Sequence, residues 1–372
     1  MRILVTGGAG FIGSHLVDEL IRLGYEIRVL DSLEKQVHHG IKPKYLNSEV
    51  EYVWGDVCDQ QKLEQALKGI EAVFHFAAQV GVGQSMYELQ RYIRDNSLGT
   101  GILLETLLKQ KKAIRKLVVA SSMSIYGEGN YQCRECDLVM PKERPISQLE
   151  KKIWEIRCPH CQRAVTPVPT DEEKPLYCSS VYAITKKDQE ELCLVWGKSY
   201  KIPTVALRFF NVYGTRQSLS NPYTGVAAIF ASRIKNNNPP IIFEDGLQTR
   251  DFIHVSDIVQ ANLLALKNDA MSWQPFNVGT GQPVAVSNIA KTLLKIYKKD
   301  IPLKIVNQFR AGDIRHCFAD IRKIRAMGFI PKVRFEEGMR ELVEWSHGVK
   351  AKDLVDESTK ELQKRKLVFA TA

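Results

Sequence analysis

The chain opens MRILVTGGAGFIG, a short apolar run that ends in a glycine cluster, and few sequence features narrow a fold as much. Residues 3–6 (ILVT) read as a buried strand. Gly7, Gly10 and Gly13 follow as G-x-x-G-x-x-G, and Ile12, Leu16, Val17 and Leu20 then recur at helical spacing up to Gly24, where a C-terminal cap belongs. Glycines at such a junction let the backbone turn tightly, let a pyrophosphate approach the helix N-terminus, and let helix pack on strand. The second β-rich run, 27–31, ends in Asp31, 18 residues after Gly13, where a carboxylate accepts the ribose hydroxyls of an adenosine. That carboxylate would repel an added 2′-phosphate, which favours NAD over NADP. Asp56 follows the third run, 50–54, and is placed to face the adenine edge.

Further β-rich runs at 72–76, 117–121 and 204–208 alternate with helical patterns such as Leu98, Ile102, Leu103 and Leu107. Strands alternating with helices imply an α/β fold with a doubly wound parallel sheet, of Rossmann type. Beyond about residue 209 the alternation loosens, so a smaller C-terminal substrate domain is expected. The expected division is 1–208 for the NAD-binding unit, with a zinc-ribbon-like insertion at 130–170, then 209–350 for the substrate unit and 351–372 for a charged tail read as a surface helix. No apolar run approaches the roughly 18–20 residues that span a bilayer, and the chain opens without the basic, apolar and small-residue regions of a secretory leader. A cytoplasmic protein is expected, with its eight cysteines reduced rather than paired. The formal charge of +10 suits either nucleic acid or a protein that handles anionic phosphates.

Tyr182 and Lys186 form Y-x-x-x-K at the start of a helical segment, and a four-residue step puts both on one face. A free tyrosine is a poor base at neutral pH, but a neighbouring ammonium favours the phenolate. Ser122, at the end of a strand in ASSMSIYG, is placed to hydrogen-bond the same substrate hydroxyl. Alone, each piece is commonplace. In series with the glycine motif they suit hydride transfer.

These motifs, with HFAAQV (75–80), NSLGT (96–100), RFFNVYG (208–214), TRDFIHVSD (249–257) and RAGD (310–313), occur in the order found in the extended short-chain dehydrogenase/reductases, and the chain resembles the nucleotide-sugar epimerases and dehydratases among them over nearly all of residues 1–345, the cysteine segment excepted. The resemblance implies a tightly bound NAD that is not consumed, contacted by Gly7, Gly10, Phe11, Ile12, Gly13, Asp31, Asp56, Val57, Ala77, Ala78, Gln79, Asn96, Tyr182 and Lys186. It implies Tyr182 as base on a sugar hydroxyl and Ser122 as its hydrogen-bonding partner. It places Ser122, Ser124, Asn211, Arg250 and Arg310 against a nucleotide diphospho-sugar, and a guanidinium fork suits a phosphate well. A homodimer through helices of the NAD-binding unit is the common arrangement of such relatives.

Epimerases and dehydratases share the first step, oxidation of the sugar 4-hydroxyl. The 4,6-dehydratases carry an Asp-Glu pair just after the residue matching Ser122, because elimination needs an acid and a base; here those places hold Met123 and Ser124, neither a proton shuttle at neutral pH. An NAD-dependent 4-epimerase is therefore expected, with a 4,6-dehydratase as the alternative. The stretches QSLSNPYTGVAAIF (217–230) and FEDGLQTRDFIHVSD (243–257), with the cysteine-bearing insertion, are similar to those of bacterial epimerases acting on dTDP-L-rhamnose. The substrate implied is dTDP-L-rhamnose, giving dTDP-6-deoxy-L-talose, with UDP-glucose or UDP-glucuronate next in order.

Cys133-x-x-Cys136 and Cys158-x-x-Cys161 lie 21 residues apart, close to the spacing of a four-cysteine zinc ribbon. A charged segment with little apolar content gains its folding free energy from the metal. Four thiolates close the coordination shell, so the zinc expected here is structural. His160 ranks below the four thiols as a ligand, and Cys58, Cys178, Cys193 and Cys317 read as free thiols. A different class of function, a non-catalytic nucleic-acid-binding protein on an epimerase-like scaffold, has the basic charge and the knuckles in its favour. It leaves Ser122, Tyr182, Lys186 and the glycine motif without a purpose, and Trp154 is the lone aromatic between the knuckles, so no base-stacking platform is legible.

Overall fold

The computed structural model describes residues 1–371. Seven strands, β1 (Arg2–Thr6), β2 (Glu26–Asp31), β3 (Glu51–Trp54), β4 (Ala72–His75), β5 (Lys116–Ser122), β6 (Thr204–Phe209) and β7 (Gln274–Val278), form one parallel sheet in the order β7-β6-β5-β4-β1-β2-β3. The six runs read from the sequence as strands are its first six. Both faces are covered, as parallel strands require. On β1, Ile3 and Val5 pack on one side with Leu16, Val17 and Leu20 of α1 (Phe11–Arg22). Leu4 points to the other side, with Leu63 and Leu67 of α2 (Gln60–Leu67) and Leu103 and Leu107 of α3 (Gly99–Leu108). Helix α4 (Val181–Ser199) lies on that second face through Cys193 and Trp196.

The order reverses between β1 and β4, and such a reversal opens a crevice at the carboxyl ends of the strands. Gly7, Asp31, Asp56, Ala77, Ser122 and Asn211 all sit on or just beyond those ends.

Past β6 the longer helices include α5 (Val226–Lys235), α6 (Val255–Lys267), α7 (Val286–Tyr297) and α8 (Phe335–His347). Helices α5, α7 and α8 gather around a core of their own containing Phe230, Ile289, Leu293, Met339 and Leu342. The boundary expected at residue 208 does not coincide with the edge of the sheet. Helix α6 returns to the face covered by α1 through Ile258, Val259, Ala261 and Ala265, and β7 pairs with β6 over five residues, so that β6 is not left as an open edge.

The insertion carries a three-stranded antiparallel sheet, with Asn130–Cys133 between Asp137–Val139 and Thr166–Val168. Its small apolar cluster is Tyr131, Cys133, Val139, Ile156 and Cys158. The tail departs from expectation. Helix α9 (Val355–Lys364) is followed by a two-residue strand, Val368–Phe369, that pairs antiparallel with Phe309–Arg310, and Phe369 stacks on Phe309 at 5.1 Å between ring centroids. A two-residue strand has no period to read, and the amphipathic pattern of α9 does not say what it packs against.

Between β1, β4, α3 and α4 lies a chain of buried polar groups. Thr6 Oγ1 accepts from the Phe76 and Ala77 amides, each at 3.2 Å, and so gives its own proton to His75 Nδ1 at 2.8 Å. Thr100 Oγ1 donates to the Asn96 carbonyl at 2.6 Å and therefore accepts from His75 Nε2 at 2.9 Å. The bonding assigns His75 as the neutral Nε2–H tautomer. Burial, assisted by the Lys186 charge, lowers its pKa to about 3. Between about 3 and the ordinary 6.5 the unfolded chain takes up a proton at this residue and the folded chain does not, so its contribution to stability falls as pH drops through that window. The unfolding free energy of the wild type, relative to His75→Gln, is expected to fall by about 2 kcal/mol between pH 7 and pH 5 in urea titrations. A difference that stays constant would mean that His75 takes up its proton as readily in the fold as in the unfolded chain.

Candidate functional site

A cavity of about 970 Å³ occupies the crevice at the strand-order reversal. Gly7 takes φ +70° and donates its N–H to the Leu30 carbonyl at 2.8 Å, turning the chain out of β1. Gly10 caps α1 without a side chain on the first turn, so helix N–H groups stay free for an anion. Asp31 is buried at the end of β2, and its two oxygens accept from Ala9 N at 3.0 Å and Leu33 N at 2.8 Å. Burial raises its pKa, and these amide bonds oppose the rise. Each oxygen keeps a lone pair for a ribose hydroxyl. Phe11, Ile12, Gly13, Val57, Ala77, Ala78 and Gln79 line the same cavity. Asp56 lies at its rim, bonded to Arg94 at 2.7 Å, so its charge is already matched.

Asn96 is placed differently from the expectation. It is fully buried, accepts from Gln79 N at 2.7 Å, donates to Gln79 O at 3.1 Å and donates to Thr185 Oγ1 at 2.9 Å. It fixes the 77–80 loop that lines the cleft and does not itself face the cavity.

Ser122, Tyr182 and Lys186 meet in this crevice. Ser122 ends β5; its Oγ donates to Ser124 Oγ at 3.1 Å and accepts from Ser124 N at 3.2 Å. Ser180 caps α4 by accepting from Ala183 N at 3.1 Å, which sets Tyr182 and Lys186 one turn apart at the helix start. Tyr182 keeps an edge open to the cleft while protein encloses the rest; this enclosure raises the phenol pKa and the Ser122 hydroxyl draws it back. Lys186 is buried, and desolvation lowers its pKa to about 8. Its Nζ donates to Gln189 Oε1 at 2.7 Å, and Gln189 Nε2 donates to Thr100 Oγ1 at 3.0 Å, joining the ammonium to the His75 chain. Gln189 was not singled out in the sequence, although its i+3 spacing from Lys186 is the available signal.

A second cavity of about 280 Å³ adjoins the first and shares Val82, Met123, Ser124, Asn211, Thr224 and Gly225 with it. Asn211 Oδ1 is buried there without a partner. Arg250 is held by the carbonyls of Thr249, Ile314 and Arg315 at 2.8, 2.6 and 3.0 Å. Arg310 bonds Asp313 at 2.8 Å and lies 4.6 Å over the Phe243 ring. Among the described residues lining this cavity the carboxylates are Glu244 and Asp313, and each is engaged by an arginine. The tail forms one wall: Val355, Ser358, Thr359 and Leu362, at i, i+3, i+4 and i+7 of α9, with Leu367 beyond.

The four cysteines of the insertion stand apart from both cavities. The Sγ atoms of Cys133, Cys136, Cys158 and Cys161 all lie within 4.8 Å of one another, with Cys133 and Cys161 at 3.5 Å.

A model of the NAD dependent epimerase/dehydratase family matches residues 3–148 and 160–279. The chain is 33% identical over 348 residues to a dTDP-L-rhamnose 4-epimerase of Burkholderia thailandensis, covering 92% of this chain and 94% of the relative. Among solved structures it is similar to a UDP-glucose 4-epimerase of Thermotoga maritima with UDP-glucose, at 32% identity and TM-score 0.76, covering 94% of this chain and 99% of the other. It is also similar to a UDP-glucuronic acid 4-epimerase of Bacillus cereus in complex with UDP-glucuronic acid and NAD, at 27% identity and TM-score 0.76, covering 94% of this chain and all of the other.

Proposed function

The chain belongs to the NAD dependent epimerase/dehydratase family, and from that premise we propose that it inverts carbon 4 of a nucleotide diphospho-sugar, with dTDP-L-rhamnose as substrate and dTDP-6-deoxy-L-talose as product. The observation that carries the reading is the meeting of the two cavities beside Ser122, Tyr182 and Lys186, with no unpaired carboxylate among the described residues of the second cavity. NAD, when bound, supplies the hydride acceptor and donor. Gly7, Gly10 and Gly13 with the first turn of α1 would hold its pyrophosphate, and Asp31 its adenosine ribose. Tyr182 takes the proton from the sugar 4-hydroxyl and returns it, Lys186 favours the phenolate, and Ser122 holds the hydroxyl in line. Ser124 and Asn211 stand at the junction, while Arg250 and Arg310 anchor the diphosphate. An anchored diphosphate leaves the sugar free to present its other face.

Elimination of water would need a free acid and base beside the sugar, where this chain has Met123 and Ser124, so the epimerase reading is favoured over a 4,6-dehydratase. The choice of dTDP-L-rhamnose rests on the Burkholderia relative and the stretches 217–230 and 243–257; the two structural neighbours favour UDP-glucose or UDP-glucuronate as the second reading. No helix among the described residues is long and apolar enough to cross a membrane, and we place the activity in the cytoplasm. We further propose a homodimer through α3, the helical turn Ile93–Leu98 that leads into it, and α4, where Ile93, Leu98, Leu108, Ile184, Leu192 and Val195 are exposed and apolar.

For the cysteines we propose one structural zinc. Four thiols converging within 4.8 Å fit a tetrahedral ion with no open position, and this explains why so sparse an apolar cluster surrounds them.

With no added cofactor, the protein is expected to convert dTDP-L-rhamnose faster than UDP-glucose or UDP-glucuronate when products are followed by NMR, and Tyr182→Phe is expected to lose about a thousandfold in kcat while retaining its NAD. Full activity in Tyr182→Phe would remove that residue from its role. Metal analysis is expected to find about one zinc per chain, lost in Cys158→Ser; metal-free protein that keeps the fold of the insertion would exclude the ion.

A further inference from the structure

The loop 310–316, RAGDIRH, lies between the substrate cavity and the insertion. On the cavity side it carries Arg310, and the carbonyls of Ile314 and Arg315 orient Arg250. On the other side the insertion grips it. Arg315 has no exposed surface; its Nε and Nη2 donate to Glu155 Oε1 at 3.0 and 2.5 Å, and its remaining N–H groups go to Glu244 at 2.9 Å and to Asp245 at 2.7 and 2.9 Å. Arg144, also buried, forks onto Glu244 at 3.0 and 2.8 Å and donates to the Asp313 carbonyl at 3.2 Å. Glu128, just before the insertion, accepts the Arg315 amide at 2.7 Å, and Glu155 meets His316 at 3.2 Å. Trp154 packs edge-on to Phe309.

We propose that the cysteine-bearing insertion is a positioning element for the substrate diphosphate: through Arg144 and Glu155 it holds loop 310–316, and with it Arg250 and Arg310, in binding geometry. The Arg144–Glu244 and Arg315–Glu244 pairs are buried, with Glu155 reaching Arg315 from a 60% exposed position. Buried ion pairs return little net stability because desolvation offsets most of the attraction, so what these pairs supply is direction. Planar guanidinium forks transmit that direction. A shift of about 1 Å in the loop would spoil two-point contact with a phosphate. Bonds from His316 and Arg315 lower the Glu155 pKa to about 2, so it stays charged throughout the working range. The inference also accounts for the location of the insertion, which leaves the chain after Ser122 and returns before Tyr182 without entering the NAD cavity.

The proposal rests on Arg250 and Arg310 as diphosphate ligands. It is tested by calorimetric titration of the NAD-loaded protein with dTDP and with UDP. Glu155→Gln is expected to weaken both about tenfold and to raise the sugar-nucleotide KM while kcat stays within about twofold. In an Arg250→Ala/Arg310→Ala background, Glu155→Gln is expected to add little, because it acts through those two arginines. Unchanged binding in Glu155→Gln, or a full additional tenfold loss in the Arg250→Ala/Arg310→Ala background, would overturn the proposal alone. Unchanged binding in both Arg310→Ala and Arg250→Ala would overturn the site reading and the proposal with it. Should Glu155→Gln not fold, Glu155→Asp, which keeps the charge but withdraws it by one methylene, is read by the same criteria.

Discussion

Helix α1 can stand over the end of β1 only because Gly13 has no side chain. A Cβ there would lie 2.3 Å from the Gly7 carbonyl oxygen and 2.7 Å from Gly8 Cα. That close approach aims the bare N-terminus of the helix across the crevice, where Gly10 leaves its amides unclaimed. Everything functional is arranged around it: Asp31 one strand away on β2, the Asn96-braced loop one strand away beyond β4, and Ser122 at the end of β5. A larger residue at position 13 would push the helix off the sheet and close the cleft.

The proposed catalytic groups come from distant parts of the chain, and the fold reconciles that distance with precision. Ser122 and Tyr182 are separated by the whole insertion, yet they face one cavity because β5 and α4 pack directly on each other while the strands of the insertion pair among themselves. Lys186 is held by Gln189, which leans on Thr100 and so on His75 and Thr6 at the strand-order reversal. An ammonium whose pKa is lowered to about 8 by burial is thereby tied to a buried polar chain at the strand-order reversal rather than to solvent. On the far side of the second cavity the same economy holds, since the loop bearing Arg310 is gripped by the insertion through Arg315 and paired with the tail through Val368.

What could be read from the sequence follows the range of the physics. Six strands were legible because buried parallel strands are continuous apolar runs, and Gly7, Gly13 and the strand-end Asp31 were legible because a tight strand-to-helix turn and a carboxylate at the end of the next strand fall at particular spacings. Asn96 was assigned to the cofactor, but its role of clamping both main-chain groups of Gln79 depends on a tertiary contact that local spacing does not encode. The limit at residue 208 failed because β7 lies 65 residues further on and is short, so nothing local reveals that it completes the sheet. Helix α9 shows its i, i+3, i+4, i+7 face in the sequence; that the face walls the second cavity is a property of the assembled fold. Arg315 was unmarked for the same reason, since its side-chain partners come from two separate stretches of chain, Glu155 and Glu244–Asp245.

The central claim is that one carbon loses and regains the same hydrogen inside a closed site, so the fate of that hydrogen is the most direct measurement. With dTDP-L-rhamnose deuterated at carbon 4, or the UDP-sugar that turns over in its place, the account predicts an inverted product that keeps its deuterium at carbon 4, with none lost to water and no NAD consumed. Hydrogen from the solvent at carbon 4 of the product, or release of a 4-keto-6-deoxy sugar as the end product, would contradict it.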